Sequence, residues 1–204
     1  MILVSGHVPI AHARTHSCRL TERHDPVTNI PFPLSGVTLC AAVLALASCT
    51  GPDGPTPVKN LRQDGAPISS AALFDPAAFA GQWQVIASNT QGCSGAQQYW
   101  TQTTPLEYRL SGQDCSNGTA ATALQGTATV TGPGGRITTS SAYGQAPVWV
   151  LWVDQDYRVA ALGTPSGQFG QIIARPQAAS RQDLLAAARE VMAFNGYPSD
   201  SLKP

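Results

Sequence analysis

Charge is scarce in this chain. Of its 204 residues, 12 are lysine or arginine and 12 aspartate or glutamate, so it is formally neutral. There is no basic stripe to follow a phosphate backbone, which removes nucleic acid as an expected partner. Histidine is scarcer still: His7, His12, His16 and His24 all lie ahead of Cys49. Behind Cys49 no imidazole is left to act as general base or metal ligand. Histidine-dependent triads and histidine metal sites are therefore excluded, and neither cofactor nor metal is expected. The apolar run Val37 to Ala47, broken only by Thr38, is too short to span a bilayer as a helix.

That run has the length of the apolar core of a secretory signal, and Arg14, Arg19 and Arg23 place positive charge ahead of it. Met1 to Asn29 is long for the start of such a signal and is set aside from fold reasoning. The run ends in Leu46-Ala47-Ser48-Cys49, which resembles the lipobox of bacterial lipoproteins. The resemblance implies cleavage before Cys49 and attachment of a diacylglyceryl group and a further acyl chain, such as palmitate, to that residue. Thr50 follows in place of the aspartate that commonly retains lipoproteins at the inner membrane, so the implied location is the outer membrane, facing the periplasm. Several acyl chains at about 0.8 kcal/mol per buried methylene would hold firmly. The competing reading is an ordinary signal that happens to carry a cysteine after small residues.

The expected organisation is a cleaved signal region over 1–48, a lipidated cysteine and flexible tether over 49–72, and one domain over 73–204. The tether is read from Pro, Gly and Asp without an apolar period. Of the five cysteines, Cys18 and Cys40 leave with the signal and Cys49 takes the lipid, which leaves Cys93 and Cys115. In an oxidising compartment two cysteines most simply form a disulfide, and a nucleophilic cysteine would lack a neighbouring histidine.

Within the domain, Trp83, Val85 and Ala87 alternate as a strand with one buried side requires. Further strands are expected near 96–102, 106–114, 119–131, 136–142, 147–153, 157–163 and 168–175, separated by turn signals such as Gly132-Pro133-Gly134-Gly135. Eight strands with little room for crossovers predict an all-β, antiparallel up-and-down barrel, because closure removes unpaired edges. One helix follows, with Ser180 as its expected cap, Asp183 as a capping-box partner and Gly196 past its end. Its stripe of Leu184, Leu185, Ala188, Val191 and Met192 should pack on the outside of the barrel.

Over nearly all of 73 to 203 the chain resembles a bacterial lipocalin. Gly81-Gln82-Trp83 resembles the first signature. Cys93 and Asp114-Cys115 are arranged like the cysteine pair of many bacterial members. Asp156-Tyr157 resembles the second signature, and Arg175 falls where the third places its arginine. The departures are a second signature without its preceding threonine and an end close behind the expected short last strand. The resemblance implies that Arg175 lies across the indole of Trp83 at the closed end, a structural pair. It also implies that the other end admits a fatty acid, a lysophospholipid or a related small amphiphile.

Strand parity offers Val85 and Ala87 as wall residues, with Tyr99 and Trp149 as aromatic candidates whose direction, like that of Trp100 and Trp152, parity alone leaves open. The partners expected are a small hydrophobic ligand and the membrane, with the chain a monomer or weak dimer and no enzyme. Two alternatives stand beside this. One is an enzyme on the same barrel using Glu107, Asp114, Asp154 or Asp156, whose ordinary use is turn chemistry. The other is a structural barrel filled by its own side chains.

Overall fold

A computed structural model describes residues 60–204. Cys49, the apolar run before it and the first part of the tether lie outside the described residues. A short helix α1 (Pro76–Phe79), capped by Asp75, leads into eight strands: β1 (Gly81–Ser88), β2 (Gln97–Thr104), β3 (Glu107–Asp114), β4 (Thr122–Val130), β5 (Arg136–Ser140), β6 (Val148–Val153), β7 (Val159–Gly163) and β8 (Gly170–Ala174). Each pairs antiparallel with the next, and β8 returns to β1, so the sheet is a closed barrel in sequence order. This is an eight-stranded antiparallel up-and-down barrel. All eight expected strands are present, with ends shifted by a few residues.

Alternation drives the closure. One set of side chains, among them Trp83, Val85, Trp100, Tyr108, Leu110, Leu124, Ala128, Val148, Val150, Ala160, Leu162 and Ile173, forms the barrel interior. The opposite faces of β6, β7, β8 and β1 supply Leu151, Ala161, Ile172 and Ala87 to a second core. That core is covered by α2 (Gln182–Phe194) through Leu185, Ala188 and Met192. Strands buried on both faces read as continuous apolar runs, as Val148–Val153 does. Gly126 of β4 lies close against the end of β5: it sits at φ +133°, and a Cβ there would run into the Ser140 carbonyl.

Two expectations need correction. Ser180 does not cap α2. Arg181 stands at the cap, with no side-chain cap bond, and its guanidinium holds Asp183 through bonds of 2.9 and 2.7 Å. The ion pair engages the carboxylate that a capping box would have used. Gly196, at φ +87°, does lie just past the helix end.

Nor is the tether free as far as residue 72. From Asn60 onward it is laid along the barrel. Leu61 N–H donates to the Gly167 carbonyl and Ala71 N–H to that of Val150, both at 2.8 Å. The Arg62 guanidinium donates to the carbonyls of Asn195, Pro165, Ala66 and Pro67 at 2.6–3.1 Å. Leu61 and Ile68 pack on the outer core. A composition that forms no regular element still docks when an arginine fork gathers carbonyls that would otherwise lack donors.

Candidate functional site

The two ends of the barrel are built differently. At the end carrying α1, Arg175 lies over Trp83 with its guanidinium carbon 3.9 Å from the ring centroid. Its nitrogens donate to the carbonyls of Tyr157 (3.0 Å), Gln82 (2.9 Å), Ala78 (2.9 Å) and Ala80 (3.0 Å). Gly81 sits at φ +116°, which favours glycine, and a Cβ there would come 2.9 Å from that guanidinium. The indole N–H of Trp83 donates to the Phe79 carbonyl at 2.9 Å. Tyr157 adds a strut: its hydroxyl accepts from the Asp75 N–H at 2.6 Å. The signature residues Gly81, Trp83, Tyr157 and Arg175 thus form one lock that seals this end, and burial pushes the Arg175 guanidinium below its ordinary value.

Asp156 stands outside that lock, exposed in the turn and 3.0 Å from Arg158. Asp154 is buried beside it. Burial alone would push its carboxyl up, but the N–H of Val159, the Arg158 guanidinium and the N–H groups of Arg158 and Asp156 outweigh that and hold it below the carboxylate range.

Above the lock the interior is a column of rings. Phe79 packs against Trp83 (centroids 4.9 Å) and, edge-on, against Trp100 (5.2 Å), which meets Tyr108 edge-on at 5.5 Å. Tyr143 then lies near-parallel to Phe169 (5.3 Å, 13°) and tilted 30° from Trp100 (6.1 Å). These six side chains are all fully buried, and each removes about 150–250 Å² from water.

Tyr143 closes the open end. It comes from the loop between β5 and β6, where Ser141 (φ 57°), Tyr143 (φ 50°) and Gln145 (φ 61°) all adopt left-handed backbone without being glycine. Such conformations cost about 1–3 kcal/mol each and persist only when surrounding contacts impose them. Here the contacts are specific. The Tyr143 N–H donates to Asp114 Oδ2 at 2.7 Å, and its hydroxyl donates to Gln98 Oε1 at 3.0 Å. Gln98 Nε2 reaches the Gln113 carbonyl (3.1 Å) and Gln171 Oε1 (3.3 Å), and both glutamines are fully buried. Burial pushes the Tyr143 phenol well above its ordinary value. Asp114 is itself placed by the Cys93–Cys115 disulfide next to it, and its other oxygen accepts from the Ser116 N–H at 2.9 Å. Among the described side chains, the Trp100 indole N–H and the Arg136 Nε–H are buried without an acceptor; the first lies in this column.

Of the wall candidates, Val85 faces the interior. Ala87 does not. A bulge between Val85 and Ala87 reverses the parity, and Ala87 packs in the outer core opposite Ile172. Tyr99 is 41% exposed on the outer face of β2, its neighbour Trp100 taking the interior place. Trp149 also lies outside, under the Arg136 guanidinium at 4.5 Å. Glu107 is exposed at the β2–β3 hairpin. Sequence reasoning passed over Gln98, Gln171 and Tyr143; a tyrosine in the turn-forming run Ser140-Ser141-Ala142-Tyr143-Gly144 was the one available signal. A cleft of about 770 Å³ opens on the rim, bordered by polar residues such as Asn60, Arg62, Asn89, Thr119 and Lys203, and it does not enter the ring column.

No protein-family model matches the sequence, and no curated protein matches it. Among solved structures the chain is similar to apocrustacyanin C1, at 13% identity and a TM-score of 0.45 over 62% of this chain and 76% of that one. Apocrustacyanin C2 (13%, 0.44) and lobster apocrustacyanin A1 (12%, 0.44) match over the same shares.

Proposed function

We propose that this chain is a carrier of a small hydrophobic ligand, taken up through the open end of the barrel and anchored to the bacterial outer membrane through acylated Cys49. The observation that carries the reading is the asymmetry of the two ends. One is locked by an arginine bonded to five carbonyls, four of them within 3.0 Å, and the other is stoppered by one side chain on a left-handed loop. The lock also holds a tyrosine in left-handed backbone, Tyr157 at φ 54°; what sets the mouth apart is that three such residues, Ser141, Tyr143 and Gln145, fall within one five-residue loop. Strain of this kind concentrates at binding sites and switches. The buried indole N–H without an acceptor supports the same reading, since such a group costs free energy until something accepts from it.

Affinity would come from apolar surface removed from water, at about 25 cal/mol per Å², less the costs of association and of moving the stopper. The two buried carboxylates, Asp114 and Asp154, supply no second reading, and Glu107 and Asp156 are exposed outside the barrel interior. Both oxygens of Asp114 and both of Asp154 already accept hydrogen bonds, mostly from the backbone. Native mass spectrometry of the chain extracted from cells, before and after addition of palmitate and a lysophospholipid, tests the proposal. One-to-one adducts that saturate are expected. A folded chain that takes up no apolar compound in any form would instead be a barrel filled by its own rings.

A further inference from the structure

The slot that Tyr143 fills has a fixed polarity. The Tyr143 ring lies 13° from the plane of Phe169 and 30° from that of Trp100, at centroid distances of 5.3 and 6.1 Å, and its hydroxyl donates to Gln98 Oε1 at 3.0 Å. Which end of the Gln98 amide meets that hydroxyl is set from behind. Its nitrogen donates to the backbone carbonyl of Gln113 at 3.1 Å and to Gln171 Oε1 at 3.3 Å. A backbone carbonyl can only accept, so the amide oxygen is the end left to face the slot. Gln98 is fully buried, and the other donor to its oxygen is Gln171 Nε2 at 3.5 Å, a long bond. The slot therefore offers flat ring faces and, at its polar edge, an acceptor in need of a donor.

A ligand that left that acceptor bare would bind against a desolvation cost. A carbonyl or an ionised carboxylate would set acceptor against acceptor, and an acyl chain has neither a donor along its length nor a flat face. A hydroxylated ring has both.

We infer that the ligand class of this barrel is a planar phenol, an aromatic hydroxyl compound of one or two fused rings. It takes the place of the Tyr143 ring against Phe169 and Trp100 and donates its hydroxyl to Gln98 Oε1. The inference rests on the carrier reading and narrows it to one chemistry: Tyr143 is the phenol that holds the site when no ligand does. Apparent affinity is then the affinity of the open slot reduced by the fraction of chains in which Tyr143 is out. The bond to Gln98 favours the closed form, and left-handed backbone at Ser141, Tyr143 and Gln145 works against it.

Fluorescence and calorimetric titrations of the purified full chain test this with three probes. 2-Naphthol carries the donor on two fused rings; naphthalene has the same rings, is more apolar and has no donor; palmitate represents acyl chains. The natural chain is expected to bind 2-naphthol one-to-one and at least about threefold more tightly than naphthalene, an order that transfer from water alone would reverse. Tyr143→Phe keeps the ring and removes its hydroxyl, so the closed form loses its bond to Gln98 while the open slot is unchanged. Both aromatic probes are expected to gain the same factor, about three- to tenfold. Gln98→Met removes the acceptor and is expected to erase the preference for 2-naphthol.

Palmitate that binds the natural chain while 2-naphthol does not would overturn the phenol class and leave the carrier standing. Failure of all three probes on the folded natural chain would overturn both. A 2-naphthol affinity unmoved by Tyr143→Phe would put the probe somewhere other than this slot and overturn the assignment. Naphthalene bound as tightly as 2-naphthol by the natural chain would overturn the role of the donor. Where Gln98→Met does not fold, the preference of the natural chain and the shared gain in Tyr143→Phe decide the matter.

Discussion

Replacing Arg175 by lysine keeps the charge and removes the fork. In the folded barrel the guanidinium serves four carbonyls at 2.9–3.0 Å and covers the Trp83 ring at 3.9 Å. A lysine ammonium on its narrower stem can reach one or two of those carbonyls, so at least two lose their donor. Hydrogen bonds from a charged donor contribute about 1.5–3 kcal/mol each, and the stacked cation about 0.5–2 kcal/mol. Arg175 is half-buried, so water recovers part of the loss, and the expected destabilisation is about 2–4 kcal/mol. For a domain of this size that lowers Tm by roughly 6–12 °C. Thermal and urea unfolding followed by circular dichroism measure it, with R109K as the control: Arg109 is exposed on β3, and its replacement should change stability by no more than about 0.5 kcal/mol. An R175K chain that melts together with R109K would refute the claim that planar carbonyl capture, rather than charge, seals this end.

Reducing the Cys93–Cys115 disulfide, whose cysteines are 22 residues apart, is expected to cost about 3 kcal/mol on loop entropy; urea midpoints with and without reductant give the number, and an unchanged midpoint would show the unfolded loop to be restrained by other means. Asp154 predicts an acid limb. Because its folded carboxyl lies below the ordinary 3.8, its contribution is fully present above that pH and is lost as pH falls through the depressed folded value. D154N should flatten the limb in urea titrations between pH 5 and 2, and parallel limbs would remove Asp154 as its source. R62A should loosen the segment 60–71. Hydrogen exchange is expected to quicken at the Leu61 and Gln63 amides, bonded to Gly167 and Gly196, while strand amides keep their rates; uniform acceleration would mean that the strap is part of the global fold.

The alternation that placed all eight strands could not place every side chain, and the reason is local. Parity along a strand is a count, and a bulge adds one to it. The bulge after Val85 moved Ala87 to the outer core, and another between Val150 and Trp152 left Trp149 and Trp152 on the same outer face. Tyr99 and Trp100 are adjacent aromatics, and the pairing with β1 and β3 decided which went inside. The lock was readable because Gly81, Trp83 and Arg175 are chemically unlike their neighbours. Tyr143 was not, since a short polar turn does not announce that its one ring will meet Trp100, three strands earlier in the chain, and Phe169, two strands later. The docking of 60–71 was hidden for a related reason: it depends on carbonyls at Pro165 and Asn195, more than a hundred residues away.

The strap also fixes where the rest of the chain departs. Leu61 is bonded to Gly167 in the β7–β8 loop, and Asn60 borders the rim cleft with Asn89 and Lys203, so the segment running back toward Cys49 leaves from the mouth and not from the locked end. At about 3.3–3.6 Å per residue, the stretch from Asn60 to Cys49 reaches at most about 40 Å. With acyl chains on Cys49, as proposed, a stretch of that length would bound the distance from the mouth to the lipid surface at about 40 Å.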